Sequence, residues 1–167
     1  MKNKEERPKL KIDKEPVDRF FEIIGLIGVV LLVALPFVHF GSLPDTVPVH
    51  YGINGQPDSY GSKNMVWLLM VVGIIIYISL AVLTRYPHIF NYPKKITAEN
   101  AYTQYKMACR LIRVLNAVSA WFFAYIVYTT IAVASGRHSG PGSWLVVALI
   151  GVTALTMGVY IYKAMKK

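Results

Sequence analysis

Four long apolar stretches alternate with polar segments along this chain. They cover residues 20–40, 65–84, 111–134 and 143–162, and charged residues are scarce or absent within them. A helix needs about 20 apolar residues to cross the hydrocarbon core of a bilayer. The pattern therefore predicts an all-α membrane protein with four transmembrane helices.

The polar segment between the first two stretches, residues 43–63, is dense in proline, glycine and aspartate. Asn54 and Gly55 form a dipeptide that is typical of a type I′ hairpin turn, in which both central residues take a positive φ. Before this turn, Val47 to Ile53 is rich in β-branched and aromatic residues, as strands are. We therefore predict a compact loop with a short β-hairpin between helices one and two.

Prolines and glycines are expected to shape the rest of this loop. A proline on the first arm restricts that arm to an edge strand or an extended segment. Two further turns are predicted at Pro57-Asp58 and at Tyr60-Gly61. The residues with this turn or structural role are Pro44, Pro48, Asn54, Gly55 and Gly61.

A long polar segment precedes the third apolar stretch. Prolines and aromatic residues predict an irregular segment at Tyr86–Lys95, close to the membrane interface. Thr97 has the properties of a helix N-cap, so one helix is predicted from Ala98 to Ala134. At 1.5 Å per residue this helix would be about 55 Å long, which exceeds the thickness of the hydrocarbon core.

Lysine and arginine are distributed unevenly between the polar segments. Sixteen of the 18 lie in residues 1–19, 85–113 and 163–167, and the other two are Lys63 and Arg137. By the positive-inside rule, the three basic segments face the cytoplasm. We therefore predict a multi-pass protein of the bacterial cytoplasmic (inner) membrane, with both termini inside and the hairpin loop outside.

The composition supports a membrane protein and excludes other classes. Hydrophobic residues make up 54% of the chain and charged residues 16%, whereas a soluble domain carries about 25% charged residues. The net charge of +9 follows from the topology and suits anionic lipid headgroups, and no nucleic-acid-binding motif accompanies it. We expect the lipid bilayer as a partner and no nucleic acid.

Residues 1–19 form a basic N-terminal segment, and residues 20–167 form one transmembrane domain.

The apolar stretches contain few polar groups that could carry chemistry. Glu22, Arg113 and Asn116 are strongly polar, and all three lie toward the predicted cytoplasmic side. Ion-coupled transporters usually have ionisable groups at mid-depth, so this pattern counts against a transporter. Close helix contacts are expected at the small residues Gly25, Gly28, Gly151 and Gly158.

The hairpin loop contains the candidate functional residues. Asp45, His50 and Asp58 are potential metal ligands or proton carriers, and His39 could join them. The alternative is that the aspartates only stabilise turns. Because the chain has one cysteine, Cys109, and no hydrolytic metal motif, we expect no catalytic residue, no metal site and no cofactor.

The loop also carries a resemblance to a known family. Leu43-Pro44-Asp45, Pro48, His50, Gly55, Asp58 and Ser62-Lys63 resemble the membrane family catalogued as the sixteen-forty-eight domain of unknown function. Phe90–Tyr105 is similar to the connection found in short members of that family. The family is related to the N-terminal part of Sdp-type immunity proteins, which protect their producers from a secreted peptide toxin.

The resemblance implies a small integral membrane protein without enzymatic activity. Its role would be immunity against, or sensing of, a peptide or other agent at the outer face of the membrane. The implied ligand-binding residues are Asp45, His50, Asp58 and Lys63. A transporter or channel-like subunit and an envelope-maintenance scaffold are the alternative interpretations. A secreted peptide, another membrane protein or further copies of this chain are the candidate partners.

Overall fold

Four long helices form the framework of the molecule. The structure is a computed structural model that describes residues 7–166, so the first six residues of the predicted basic segment lie outside the described residues. Each helix is long and apolar enough to cross a membrane. The prediction of four such helices is confirmed, and their bounds are α1 Pro16–His39, α2 Met65–Leu83, α3 Ala101–Ala134 and α4 Trp144–Lys166.

Helix α3 is the central element, and the other three helices all pack against it. α1 runs parallel to α3, since Gly25 lies beside Ala117 and Gly28 lies beside Ala120. A Cβ added at Gly25 would lie 3.3 Å from Ala117 Cα, so these glycines allow the close contact that was predicted for them. α2 and α4 run in the opposite direction to α3.

Helix α4 lies at the edge of the bundle. No residue of its most apolar 18-residue window is buried inside the structure. The Gln104 amide of α3 donates a hydrogen bond of 2.9 Å to the Ala164 carbonyl. Nothing among the described residues lies within 4 Å of a Cβ added at Gly151 or Gly158. The prediction of close contacts at these two glycines is therefore wrong, because no neighbouring helix covers their side of α4.

The start of α3 differs from the prediction by three residues. The helix begins at Ala101 with Asn100 at the N-cap, and not at Ala98. The Asn100 side chain accepts a hydrogen bond of 2.9 Å from the Thr97 amide, and the Asn100 amide donates one of 3.4 Å to Thr97 Oγ1. This reciprocal pair is a capping box in which Thr97 caps the turn of residues 98–100, and the turn leads into the helix. The preceding segment is irregular, as predicted, except for a 3-10 turn at Pro87–Ile89.

A two-stranded antiparallel hairpin lies between α1 and α2, as predicted. Strand β1 is Thr46–Tyr51 and strand β2 is Pro57–Ser62. Thr46 pairs with Ser62 and Tyr51 pairs with Pro57, with irregular register between these two pairs.

The hairpin tip differs from the predicted type I′ turn. Gly55 has a φ of 73°, but Asn54 does not have a positive φ. The Gly55 amide donates a hydrogen bond of 2.8 Å to the Gly52 carbonyl. This is the pattern of a type I turn that is followed by a left-handed glycine, a common arrangement in longer hairpin loops.

Two predicted turns on the second arm are also wrong. Pro57-Asp58 and Tyr60-Gly61 both lie within β2. Gly61 has a packing role there, because a Cβ at this position would lie 3.0 Å from Val49 Cγ1 of the paired strand. β2 lacks the alternation of apolar and polar residues that would have predicted a strand. It is the outer strand, and all but two of its residues are exposed.

Two apolar clusters hold opposite ends of the bundle. The first joins α1, β1, α2 and α3 through Leu32, Val47, Val66 and Val127, which are all fully buried. We call this the hairpin end. The second cluster is built from Ile96, Ala101 and Tyr105, with Ile12 and Tyr92 packed against it. It lies near the start of α3, and we call this the basic end.

Candidate functional site

Strand β1 fixes the hairpin onto the helices. Val47 belongs to the apolar cluster of the hairpin end, and Val49 packs against that cluster. Tyr51 follows on the same face, since residues two apart along a strand point the same way. The Tyr51 hydroxyl lies 3.2 Å from Thr130 Oγ1 of α3. β1 is therefore the inner strand, and β2 is left on the outer surface.

The tip of the hairpin packs against the connection between α3 and α4. Gly55 is buried, and a Cβ added to it would lie 2.6 Å from Gly142 Cα and 2.7 Å from Gly142 N. Gly140 also lies directly against the Gly55 carbonyl. The Tyr125 hydroxyl donates a hydrogen bond of 3.2 Å to the Pro141 carbonyl, which ties this connection to α3. The hairpin end is thus braced from two sides.

His50 and Asp58 form one hydrogen-bonded pair on this surface. His50 Nδ1 lies 2.6 Å from Asp58 Oδ1, between β1 and β2 near the tip. The side chains are 69% and 51% exposed, respectively. The pair is therefore open to solvent, and both groups remain accessible to a ligand.

Asp45 and Lys63 form a second pair at the base of the hairpin. Lys63 Nζ lies 3.2 Å from Asp45 Oδ1. The ammonium group also donates a hydrogen bond of 3.5 Å to the Leu43 carbonyl and lies 5.4 Å from the centre of the Phe40 ring. Lys63 is largely covered, whereas the Asp45 side chain is 96% exposed. Lys63 is therefore held by its own loop.

The four predicted ligand-binding residues do not form a single cluster. The five residue-to-residue steps from Asp45 to His50 span about 16 Å along an extended strand, so the two pairs lie at opposite ends of the hairpin. Within residues 7–166 no group of three or more histidine, cysteine, aspartate or glutamate side chains could hold a metal ion. His39 is accordingly not brought together with His50 and Asp58.

The sequence interpretation missed a cluster of charges between α1 and α3 at the basic end. Lys106 Nζ and Arg110 Nη2 both contact the Glu15 carboxylate at 2.5 Å. Arg110 Nε donates a hydrogen bond of 2.9 Å to Asp18, and Arg113 Nε donates one of 3.0 Å to Glu22. Three carboxylates thus face three cations across the helix interface.

Part of this charge cluster is buried. The Asp18 side chain is 1% exposed and that of Arg113 is 6% exposed, and Arg113 Nη1 lies 3.6 Å from Asp18 Oδ1. Glu15 lies just before α1, where hydrogen bonds from Lys106 and Arg110 lower the pKa of its carboxyl group. The acids and the cations are both spaced by three and four residues, which places each set on one helix face. That spacing is the signal that could have revealed the cluster.

Comparison with known proteins identifies one family and one relative that are similar to parts of this chain. The family described as "Domain of unknown function (DUF1648)" matches residues 27–76. An uncharacterized protein of Archaeoglobus fulgidus is 32% identical over 78 residues, which is 42% of this chain and 43% of the relative. This chain therefore matches less than half of the length of that relative. No solved structure matches the chain.

The matched region has a clear place in the fold. Residues 27–76 run from the middle of α1, through the whole hairpin, into the middle of α2. They contain all four predicted ligand-binding residues and the hairpin turn. The fold and this match define a multi-pass integral membrane protein with a segment similar to a domain of unknown function.

Proposed function

We propose that this protein recognises a peptide or a similar agent at the outer face of the cytoplasmic membrane. The hairpin end is the recognition surface, and no chemical reaction is catalysed there. The observation that carries the proposal is a hairpin that is fixed at its base and its tip while its polar side chains stay exposed.

The orientation follows from the distribution of basic residues. Within residues 7–166 the hairpin end contains Lys63 and Arg137, whereas thirteen lysines and arginines lie in the segments at the other end of the bundle. Loops that are rich in lysine and arginine stay on the cytoplasmic side. The hairpin end then faces outward, and both chain termini face the cytoplasm.

The exposed surface of the hairpin combines charge with apolar area. Alongside the His50–Asp58 pair, Ile53 is 93% exposed at the tip and Tyr60 is 61% exposed on β2. A surface with both properties suits an amphipathic ligand. Because the hairpin is already fixed at its base and its tip, its backbone would need little ordering on binding, which favours affinity.

The class of ligand comes from the resemblance described above. The residues that carry this resemblance are those of the hairpin, which is also the centre of the region matched by the family. Sdp-type immunity proteins protect against a secreted peptide toxin, so a secreted membrane-active peptide is the ligand class that we propose. Another membrane protein or further copies of this chain would then be partners in that response.

The charges inside the helices do not favour a transporter. Asp18, Glu22 and Arg113 lie at the basic end and are paired with one another or with Arg110. A transport site would place ionisable groups near the bilayer midplane. The pairing supports a structural role for these charges in joining α1 to α3.

A protection assay tests this proposal. A toxin-sensitive strain that expresses the protein is challenged with a panel of membrane-active peptides, and the inhibitory concentration is measured. The parent protein should raise the inhibitory concentration of at least one peptide. Alanine at His50 or Asp58 should return it to the value of cells without the protein, while membrane abundance remains normal.

Ser59 provides a matched control for this assay. It is exposed, lies next to Asp58 and pairs with His50 in the strand register, so Ser59→Ala should protect as the parent does. A loss of abundance or of protease resistance along with protection would instead indicate that the ion pair only maintains the hairpin. Equal protection by alanine variants of Asp45, His50, Asp58 and Lys63, at equal abundance, contradicts the proposal.

A further inference from the structure

A cleft at the basic end has features that the proposed function does not use. It lies between α1 and α2, with α3 as its floor, and has a volume of about 1020 Å³. Ligand pockets commonly measure about 300–1,000 Å³, so this cleft has room for a ligand with a long apolar part. It lies far from the hairpin, because its lining residues come from the first part of α1 and the last part of α2.

The mouth of the cleft is cationic. Lys11, Arg19 and Arg85 line it, and their side chains form no hydrogen bond or ion pair with another described residue. Lys14 and Arg113 also line the cleft, but both are paired with Glu22, the carboxylate among the lining residues. The mouth therefore has an excess of positive charge that an anion would neutralise.

Two buried polar atoms inside the cleft make no hydrogen bond among the described residues, although one of them, Arg113 Nη1, lies 3.6 Å from Asp18 Oδ1. Arg113 and Asn116 line it and are 6% and 7% exposed, respectively. Arg113 Nη1 and Asn116 Oδ1 have no hydrogen-bond partner among the described residues. The Asn116 amide nitrogen donates to the Tyr77 carbonyl at 3.2 Å, which leaves its oxygen free to accept. Buried polar groups are nearly always satisfied, so these two atoms indicate a polar group of a ligand.

The walls of the cleft are apolar along the membrane-spanning part. Leu26 of α1 and Ile78 and Val82 of α2 line it, and they are 54%, 54% and 42% exposed. A ligand that fits must therefore have an anionic head, further polar oxygens below the head, and a hydrocarbon chain. An anionic phospholipid has all three in this order.

We propose that the cleft binds an anionic phospholipid from the leaflet at the basic end. The phosphate lies at the mouth between Arg19 and Arg85, and Lys11 adds further charge. An ester or phosphate oxygen accepts from Arg113 Nη1. One acyl chain follows the wall formed by Ile78 and Val82. Basic pockets between transmembrane helices are known to favour such headgroups.

The charge requirement is tested in nanodiscs that contain equal amounts of phosphatidylglycerol and phosphatidylcholine. The protein is released into a mild detergent, and the lipid that stays bound is identified by native mass spectrometry. One basic residue near an anionic membrane contributes roughly a fivefold preference. We therefore expect the parent to retain phosphatidylglycerol at least about tenfold over phosphatidylcholine.

A variant with glutamine at Lys11, Arg19 and Arg85 should lose this preference. The matched control places glutamine at Lys94, Lys163 and Lys166, which removes the same charge at the basic end but outside the cleft. This control should keep the preference of the parent. Lack of preference in the parent, or an unchanged preference in the cleft variant, overturns the proposal.

The apolar wall is tested by a pair of tryptophan substitutions on α2. Ile78 lines the cleft and is 54% exposed, whereas Ile75 is 57% exposed on the same helix but does not line it. Ile78→Trp should reduce the amount of retained lipid severalfold, and Ile75→Trp should not change it. Equal retention in the two variants contradicts an acyl chain in the cleft.

Free inorganic phosphate separates a lipid from a soluble anion. Phosphate at millimolar concentration should not displace the phosphatidylglycerol, because it lacks the hydrocarbon chain. Displacement by phosphate would overturn the lipid assignment and indicate a site for a soluble anion.

Discussion

The two ends of the bundle use ion pairs in different ways. At the hairpin end, the His50–Asp58 pair joins residues that are eight apart in the sequence, and both side chains are exposed. At the basic end, the pair of Arg110 with Asp18 joins residues that are 92 apart, and Asp18 is buried. Exposed pairs contribute little to stability, whereas removing one partner of a buried pair is costly. Replacing the exposed pair of the hairpin end should therefore change stability little, whereas the buried pairs of the basic end hold α1 against α3.

The largest expected effect is the loss of the buried carboxylate at the basic end. Asp18→Ala should lower the free energy of unfolding by about 3 kcal/mol, because it removes the buried carboxylate that accepts from Arg110 and lies 3.6 Å from the buried Arg113. Lys14→Ala removes an exposed member of the same cluster, whose side chain is 50% exposed, and should cost at most about 1 kcal/mol. Unfolding of the detergent-solubilised protein measures both values. Similar losses of unfolding free energy in the two variants would contradict the expected difference between buried and exposed pairs.

The second effect concerns the bracing of the hairpin tip. Gly55→Val should destabilise the loop by about 1–3 kcal/mol, since Gly55 has a positive φ and no room for a side chain. Gly136→Val is the control, because Gly136 has a φ of 69° but nothing within 4 Å of an added Cβ among the described residues.

Limited proteolysis within residues 52–56 measures this effect. Relative to the parent, cleavage within residues 52–56 should increase strongly in Gly55→Val. Cleavage within residues 135–139 should increase less in Gly136→Val. Equal sensitivity of the two loops would indicate that backbone strain alone acts at the tip, and that the contact with Gly142 adds nothing.

A smaller effect is expected where β1 joins α3. Tyr51→Phe removes the hydroxyl that meets Thr130, and one such hydrogen bond contributes about 0.5–1.5 kcal/mol. Tyr60→Phe is the matched control, since Tyr60 is 61% exposed on the outer strand. Hydrogen exchange at the β1 amides should accelerate in Tyr51→Phe and stay unchanged in Tyr60→Phe. Unchanged exchange in both variants would show that the apolar contacts alone hold the hairpin.

The smallest effect is a dependence of stability on pH. Lys106 and Arg110 lower the pKa of Glu15 from its ordinary value of 4.5 in the folded protein. A carboxyl group with a lowered folded pKa stabilises the fold above its unfolded pKa, and this contribution is lost as the pH falls through the folded pKa. The melting temperature should therefore fall below about pH 4.5, and it should fall less in Glu15→Gln. Asp13→Asn is the control, and an equal response of the two variants contradicts a role for Glu15.

The sequence was sufficient for the elements that depend on local pattern. Long apolar stretches predicted the four helices, and Asn54-Gly55 after an arm rich in β-branched and aromatic residues predicted the hairpin. The turn type was wrong because the loop is one residue longer than a type I′ turn allows: the Gly52 amide donates to the Gln56 carbonyl at 2.9 Å, so Ile53, Asn54 and Gly55 all lie in the loop. The start of α3 was predicted three residues too early because residues 98–100 form a turn before the regular helix.

The candidate sites were predicted less completely. The two hairpin pairs could be expected from neighbouring residues, but their separation depends on the strand register. The charge cluster between α1 and α3 required knowledge that these two helices are parallel neighbours. Their helical spacing was visible in the sequence, but the identity of the partner helix was not.

The first proposal places peptide recognition at the hairpin end, and the second places phospholipid binding at the basic end. Both depend on which side of the membrane each end faces, and this orientation is the central claim. Single cysteines at Ile53, which is 93% exposed at the hairpin tip, and at Lys94 at the basic end test it in a Cys109→Ser background. A membrane-impermeant maleimide should label the cysteine at position 53 in intact cells. It should label the cysteine at position 94 only after the cells are opened. Labelling of position 94, but not of position 53, in intact cells would contradict the account.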